Sequence, residues 1–340
     1  MPVDFIAGET HFLDHLHPIW AALPETARGE ICLVRTGSDS NPLAQLDCHA
    51  QYRRFEGCHR FLTPGKALNW LQRRAGPVVT ASYRDAKLAQ RVGRPQVFCE
   101  HGAGQSYGGE HNSYSGGRGA RRNVRLFLCP NQGCAERNQE AFPDAEVAVI
   151  GCPKLDHWHQ MPPLPRRQPP IVAISFHWDC AVVMETRSAL PFFRPALPAL
   201  AERWMVLGHG HPRIMERLLP IYDALDIEPV YDFEEVLERA DCYVCDNSST
   251  MFEFASTGRP VVVLNPPWYR REVNHGLRFW EAAGVGVNCD RPQDLAGAVA
   301  TALQDPPHQR EARRQAVSIA YGYTDGRAAQ RAALAILELT

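Results

Sequence analysis

The chain has 340 residues, a formal charge of −2 and an isoelectric point near 6.7, with 45% apolar and 22% charged residues. These values describe a folded globular protein of about two domains, and they supply no overall electrostatic attraction to nucleic acid or anionic lipid. No apolar run approaches the roughly 20 residues a membrane-spanning helix needs, and the opening "MPVDFIAGETHF" lacks a signal peptide's basic stretch, so a cytoplasmic protein is expected.

In chain order, short apolar runs at 3–7 (VDFIA), 31–34 (ICLV), 77–80 (PVVT), 96–99 (QVFC), 125–129 (RLFLC) and 147–151 (VAVIG) predict strands. Helical spacing at His11–Leu23 and Ala67–Arg74 falls between them. Strands alternating with helices imply a parallel sheet covered on both faces. A proline-rich stretch at 157–170 reads as a linker, after which the alternation restarts. Strands are expected at 171–176 (IVAISF), 204–210 (WMVLGHG), 241–246 (DCYVCD), 260–265 (PVVVLN) and 284–288 (GVGVN). The predicted architecture is α/β, with two Rossmann-like domains at 1–160 and 161–340 facing a central cleft and the last helix able to cross back. In such sheets ligands bind beyond the carboxyl ends of strands, so the residues just after each apolar run are the candidates for chemistry.

Eleven cysteines, several inside apolar runs (Cys32, Cys99, Cys242), fit a reducing compartment. Two spacings resemble metal sites, Cys242-x-x-Cys245 and the pair Cys48-His49 with Cys58-His59. The first lies in a predicted strand, where a knuckle turn does not fit, and no second pair follows at zinc-ribbon distance. No metal is expected.

After the first strand come Glu9, Thr10 and His11, with His15 one turn further on. They are candidates for acceptor binding, against the alternative of structural histidines. After 96–99 the chain reads His101-Gly102-Ala103-Gly104-Gln105, opening a stretch with seven glycines between 102 and 119. A histidine there suits proton transfer beside an anionic substrate, with Gly102 and Gln105 on the acceptor side; the other reading is a surface loop. Arg118, Arg121, Arg122 and Arg125 form the local basic candidate for an anionic acceptor, the alternative being solvated surface arginines.

In the second half, Gly208 and His209 lie at the end of a strand and the pair His211-Pro212 follows it; His211 could meet a phosphate or simply cap a helix. Tyr231 and Asp232 precede a short helix with Asp232 as N-cap and Glu235 at the capping-box position. After Asp246, Asn247 or Ser248 is the expected N-cap, with Thr250 and Glu253 at capping-box spacing. Asn247, Ser248, Ser249 and Thr250 at a helix start can cap it or grip a phosphate.

These residues resemble the CDP-glycerol glycerophosphotransferase family, the teichoic-acid polymerase and primase group, through His101-Gly102, His211-Pro212 and the segment Asp246-Asn247-Ser248-Ser249 through Phe252-Glu253-Phe254-Ala255 to Gly258-Arg259-Pro260. The resemblance implies the GT-B fold and a role for His101 as the base on an acceptor hydroxyl. It implies that His211 and the Ser248–Ser249 turn hold the donor pyrophosphate, with Gly208, His209, Tyr231, Asp232 and Glu253 towards the nucleotide. The family's His-Gly-Thr-Pro-Leu-Lys is here His-Gly-Ala-Gly-Gln, which leaves the acceptor and the transferred group open. The expectation is metal-independent transfer of a glycerophosphate-type group from a CDP-alditol to a polyol or glycan hydroxyl, with no cofactor beyond the nucleotide donor. The alternatives are a nucleotide-sugar transferase, a non-hydrolysing nucleotide-sugar epimerase and a non-catalytic nucleotide-binding module. Oligomeric state is not legible.

Overall fold

The computed structural model describes residues 1–34, 55, 58–104, 112–114, 119–179, 187–269 and 284–339. Thirteen strands are found among them: β1 Val3–Ala7, β2 Arg28–Val34, β3 Cys58–Leu62, β4 Val78–Thr80, β5 Gln96–Cys99, β6 Val124–Cys129, β7 Glu146–Val149, β8 Ile171–Phe176, β9 Met205–Gly210, β10 Glu228–Pro229, β11 Cys242–Cys245, β12 Val261–Leu264 and β13 Val287–Cys289. The helices used below are α1 Thr10–Ala22, α2 Pro64–Gln72, α3 Tyr83–Gln90, α4 Gln132–Ala141, α5 Met215–Asp223, α6 Phe233–Arg239, α7 Thr250–Ala255, α8 Leu295–Gln304, α9 Pro307–Ala320 and α10 Ala328–Leu339.

The chain divides into two compact units. One comprises Met1–Gly104, Tyr114–Gln160 and Tyr321–Thr340; the other is built on Met161–Ala320. In the first, a seven-stranded sheet runs in the order β3-β2-β1-β4-β5-β6-β7, and in the second a six-stranded sheet runs β10-β9-β8-β11-β12-β13. Every pairing is parallel. The order reverses between β1 and β4 in one sheet and between β8 and β11 in the other, which makes the carboxyl ends of those strands the natural ligand positions.

Eleven of the thirteen strands were expected, most of them because strands buried on both faces read as continuous apolar runs. β3, Cys58–Leu62, was not: in its sequence CHRFL the adjacent polar residues His59 and Arg60 break the apolar run. Cys58 and His59 therefore lie on a strand, while Cys48 and His49 fall outside the described residues. β10 has only two residues and carries no pattern to detect. Cys242 and Cys245 are both buried within β11.

The amino ends of the strands carry buried ionic anchors. Fully buried Asp4 in β1 receives Arg74 Nε at 2.9 Å and Nη2 at 2.8 Å, Arg94 Nη2 at 2.9 Å and the Glu30 amide at 3.0 Å. The carboxylate is thereby saturated with donors, the condition under which a buried charge is tolerated. In the other sheet Asp241, just before β11, accepts the amides of Arg167 at 3.1 Å and Ile171 at 2.9 Å. Asp156 takes the amides of Ala328 and Ala329, each at 2.8 Å, and so caps α10. Among the described residues no helix is long and apolar enough to cross a membrane.

Candidate active site

In the first unit the exits of β1 and β4 are joined by Asp85 on α3. Its Oδ2 accepts the Gly8 amide at 2.9 Å and the Ser82 hydroxyl at 2.7 Å. A Cβ on Gly8 would lie 2.7 Å from Asp85 Oδ1, so glycine is required for this approach. Burial pushes the Asp85 carboxyl up to about 6, against the Ser82 and Gly8 hydrogen bonds, which favour its anion.

Beyond this anchor Glu9 starts α1 without a side-chain cap, and its Oε2 lies 3.6 Å from His11 Nδ1. His101 follows β5 and is exposed, its ring packed edge-on against Phe12 at 4.9 Å and 6.4 Å from the ring of His15. His15 is buried, with Nδ1 3.9 Å from Cys152 Sγ. Burial first, then Lys154, His101 and His11, hold its imidazole well below the usual range, so it stays neutral at pH 7. Thus His11, His15 and His101 come together at the exits of β1 and β5, and Lys154 adds a cation that was not anticipated.

The turn after His101 is held in place. Gly102 and Gly104 have φ of 71° and 75°, and a Cβ on Gly104 would meet Cys134 Cβ at 2.8 Å. Asn131 Nδ2 donates to the Ala103 carbonyl at 3.0 Å and Tyr114 OH to the Gly104 carbonyl at 2.8 Å. Gln105 and Arg118 lie outside the described residues. Arg121 corrects the reading of that cluster as acceptor-binding or solvated arginines. It is buried, bonded to both oxygens of Glu100 at 2.8 and 3.1 Å, and its guanidinium sits 4.2 Å over the Phe98 ring. Arg122 and Arg125 are exposed.

In the second unit, fully buried Asp246 directly follows β11. One carboxylate oxygen accepts the His177 amide at 2.8 Å and the other the Ala189 amide at 2.9 Å. The following turn differs from the expected cap. α7 begins at Thr250, its N-cap Ser249 makes no side-chain cap bond, and neither Asn247 nor Ser248 occupies the N-cap. Ser248 Oγ instead accepts from the Thr250 amide at 3.3 Å and from Thr250 Oγ1 at 2.8 Å, while Thr250 Oγ1 is also 2.8 Å from Tyr243 OH. The Thr250 hydroxyl is spent on Ser248 and Tyr243, so the capping box with Glu253 does not form. With both lone pairs of Ser248 Oγ engaged, what this hydroxyl still offers is its proton, which suits an anion. Asn247 is buried at the β11 exit, and Glu253 is buried on α7.

His211 leaves β9 with its amide on the Phe176 carbonyl at 3.0 Å. Its Nδ1 accepts the Arg213 amide at 3.2 Å, which puts the ring hydrogen on Nε2. His209 is buried within β9, Nδ1 2.9 Å from Ser175 Oγ, and Gly208 leaves room for Tyr222, whose ring a Cβ would meet at 2.4 Å. Tyr231 is 47% exposed, and Asp232 caps α6 through the Glu234 amide at 3.0 Å. Glu235 pairs with Arg239 rather than closing a capping box. The reading by sequence missed His177 and Trp178, although they follow an apolar run just as His211 does. Their rings lie 5.4 and 6.0 Å from that of His211, and the Arg213 guanidinium stacks 4.8 Å over Trp178.

Two Rossmann-like units on parallel sheets, each with its polar groups at strand exits, define the GT-B class, and solved structures agree. The wall teichoic acid polymerase TagF matches with a TM-score of 0.64 at 14% identity, covering 99% of this chain and 88% of that one. A UDP-GlcNAc 2-epimerase from Neisseria meningitidis, bound to UDP-GlcNAc, matches at 0.61 and 14% with both chains fully covered. MurG from Acinetobacter baumannii matches at 0.51 and 14%, covering 99% and 100%. Residues 193–338 match the family model of CDP-Glycerol:Poly(glycerophosphate) glycerophosphotransferase, and the protein is a transferase of the glycerophosphotransferase/glycosyltransferase type. No curated protein matches the sequence.

Proposed function

We propose that the protein moves a glycerophosphate-type group from a CDP-alditol to the hydroxyl of a polyol or glycan acceptor in the cytoplasm. One observation carries this reading: the family match spans both His211 and the 246–260 segment, and these sit at the exits of β9 and β11 in one sheet. The first unit takes the acceptor and the second the donor. His211 Nε2–H, the Ser248 hydroxyl and the Asn247–Thr250 turn hold the donor phosphates, with Tyr231, Asp232 and Glu253 on the nucleotide side. His101 removes the acceptor proton as the hydroxyl attacks the distal phosphorus, and Glu9 and His11 orient the acceptor. Phosphate charge is met by these donors, so turnover should persist in EDTA.

The test is incubation with CDP-glycerol, CDP-ribitol and UDP-GlcNAc, followed by identification of the released nucleotide. CMP release supports phosphotransfer. Because the sequence after His101 departs from the family's, sugar transfer is the second reading, and it would release a nucleoside diphosphate instead. His101→Ala should slow transfer about 100-fold or more while leaving donor affinity intact. Binding without turnover for every donor and acceptor pair would refute the catalytic reading.

A further inference from the structure

Resting on that donor reading, we propose that His177 is a catalytic residue that protonates the departing phosphate oxygen, working beside His211 as the second imidazole of a pair with divided tasks. His177 stands at the first position after β8, where the strand order reverses between β8 and β11. Its backbone is fixed by the bond from its amide to Asp246, the residue that precedes the Asn247–Thr250 turn. Its ring lies 5.4 Å from that of His211, centroid to centroid.

The two rings carry their hydrogens on opposite nitrogens. His177 Nδ1 is 3.1 Å from the Trp178 carbonyl, and a carbonyl oxygen only accepts, so this nitrogen keeps its hydrogen. The titrating position of His177 is therefore Nε2. His211, with Nδ1 accepting from Arg213, holds its hydrogen on Nε2 in the neutral ring. One imidazole is thus a standing donor, suited to binding phosphate, and the other gains and loses its proton at Nε2, suited to delivering it. Among the described residues, the Arg213 guanidinium stacks on Trp178 beside the pair, and the Asp246 oxygens accept the His177 and Ala189 amides. Asp179, on the same segment as His177, receives the Ser188 amide at 3.3 Å.

In the step itself the acceptor oxygen forms its bond to the distal phosphorus as the bridging P–O bond breaks. The acceptor proton passes to His101, the bond's electron pair leaves with the bridging oxygen, and that oxygen takes the Nε2 proton of His177. Solvent exchange resets both rings.

The experiment compares His177→Asn and His177→Gln in the full chain, with CDP-glycerol as probe, measuring affinity by calorimetry and turnover by CMP release. Asparagine keeps a donor near Nδ1, and with it the bond to Trp178, but has nothing at Nε2; glutamine places an amide near Nε2. The expected result is that His177→Asn binds CDP-glycerol within about threefold of the unmodified chain yet turns over about 100-fold more slowly. His177→Gln should recover roughly tenfold of that loss by hydrogen bonding to the leaving oxygen. A purely structural histidine gives the reverse order, so His177→Asn at the unmodified rate, or both variants losing affinity rather than turnover, overturns the proposal. Failure of the unmodified chain to bind CDP-glycerol overturns the donor reading and this inference together, and it is recognised in the unmodified protein before any variant is compared.

Discussion

Asp241 and Asp246 stand at opposite ends of β11, and both are spent on backbone amides flanking β8. Asp241 takes Arg167 before that strand and Ile171 at its start, and Asp246 takes His177 and Ala189 after it. Each is buried, so removing either carboxylate leaves two amides without an acceptor, at a cost of roughly 1–3 kcal/mol per group. Asp241→Ala and Asp246→Ala should each lower unfolding free energy by about 2–5 kcal/mol in urea titrations. Only Asp246→Ala should also weaken CDP-glycerol binding, because only the carboxyl end of β11 carries the turn proposed to hold phosphate. Equal binding defects in the two variants would show that both report stability alone.

The buried Glu100–Arg121 pair ties the end of β5 to the start of β6 across the glycine-rich stretch. Breaking a buried pair strands the remaining charge, so Arg121→Ala should cost about 3–5 kcal/mol, whereas Glu100→Leu with Arg121→Met should recover most of that loss. A cost below about 1 kcal/mol for Arg121→Ala would show that the carboxylate finds water instead.

Asp85 titrates near 6 in the folded chain, against an ordinary value of 3.8. Between these values the folded state holds a proton that the unfolded state has released. The contribution is therefore full below about pH 4 and is lost as pH rises through about 6, by something on the order of 3 kcal/mol. Urea titrations at pH 4 and pH 7 should show this fall in the unmodified chain and a flatter profile for Asp85→Asn. Parallel profiles would place the carboxyl at its ordinary value.

The Thr250 amide and hydroxyl fill the lone pairs of Ser248 Oγ, so on the proposed donor site the Thr250 side chain acts through Ser248. Thr250→Val should weaken CDP-glycerol binding by about three- to tenfold, the worth of one hydrogen bond, while Thr250→Ser should not. In Ser248→Ala the added Thr250→Val should cost no further affinity, since the Ser248 hydroxyl that Thr250 positions is gone, although its bond to Tyr243 is lost as well. Additive losses would assign Thr250 a contact of its own.

Much of the fold was legible because parallel strands buried on both faces are continuous apolar runs, and helix starts such as Asp232 carry a local cap signal. β3 hid because His59 and Arg60 break the apolar run in CHRFL. What could not be read are the long-range partners: Asp246 meets amides 69 and 57 residues away, and Arg121 meets a carboxylate 21 residues away. Nothing in local spacing separates such an arginine from Arg122 beside it. The helix start after Asp246 slipped by one or two positions because Thr250 bonds Ser248 and Tyr243, and Tyr243 lies on the preceding strand. His177 follows its apolar run just as His211 follows its own, so the same rule points to it.

The most direct measurement is a calorimetric titration of CDP-glycerol into the unmodified chain and into Ser248→Ala and His211→Ala, each checked for an unchanged thermal midpoint. If the donor phosphates rest on these two side chains at the exits of β11 and β9, the unmodified chain binds and each variant binds at least about tenfold more weakly. Affinity unchanged in both variants, or no binding by the unmodified chain, would contradict it.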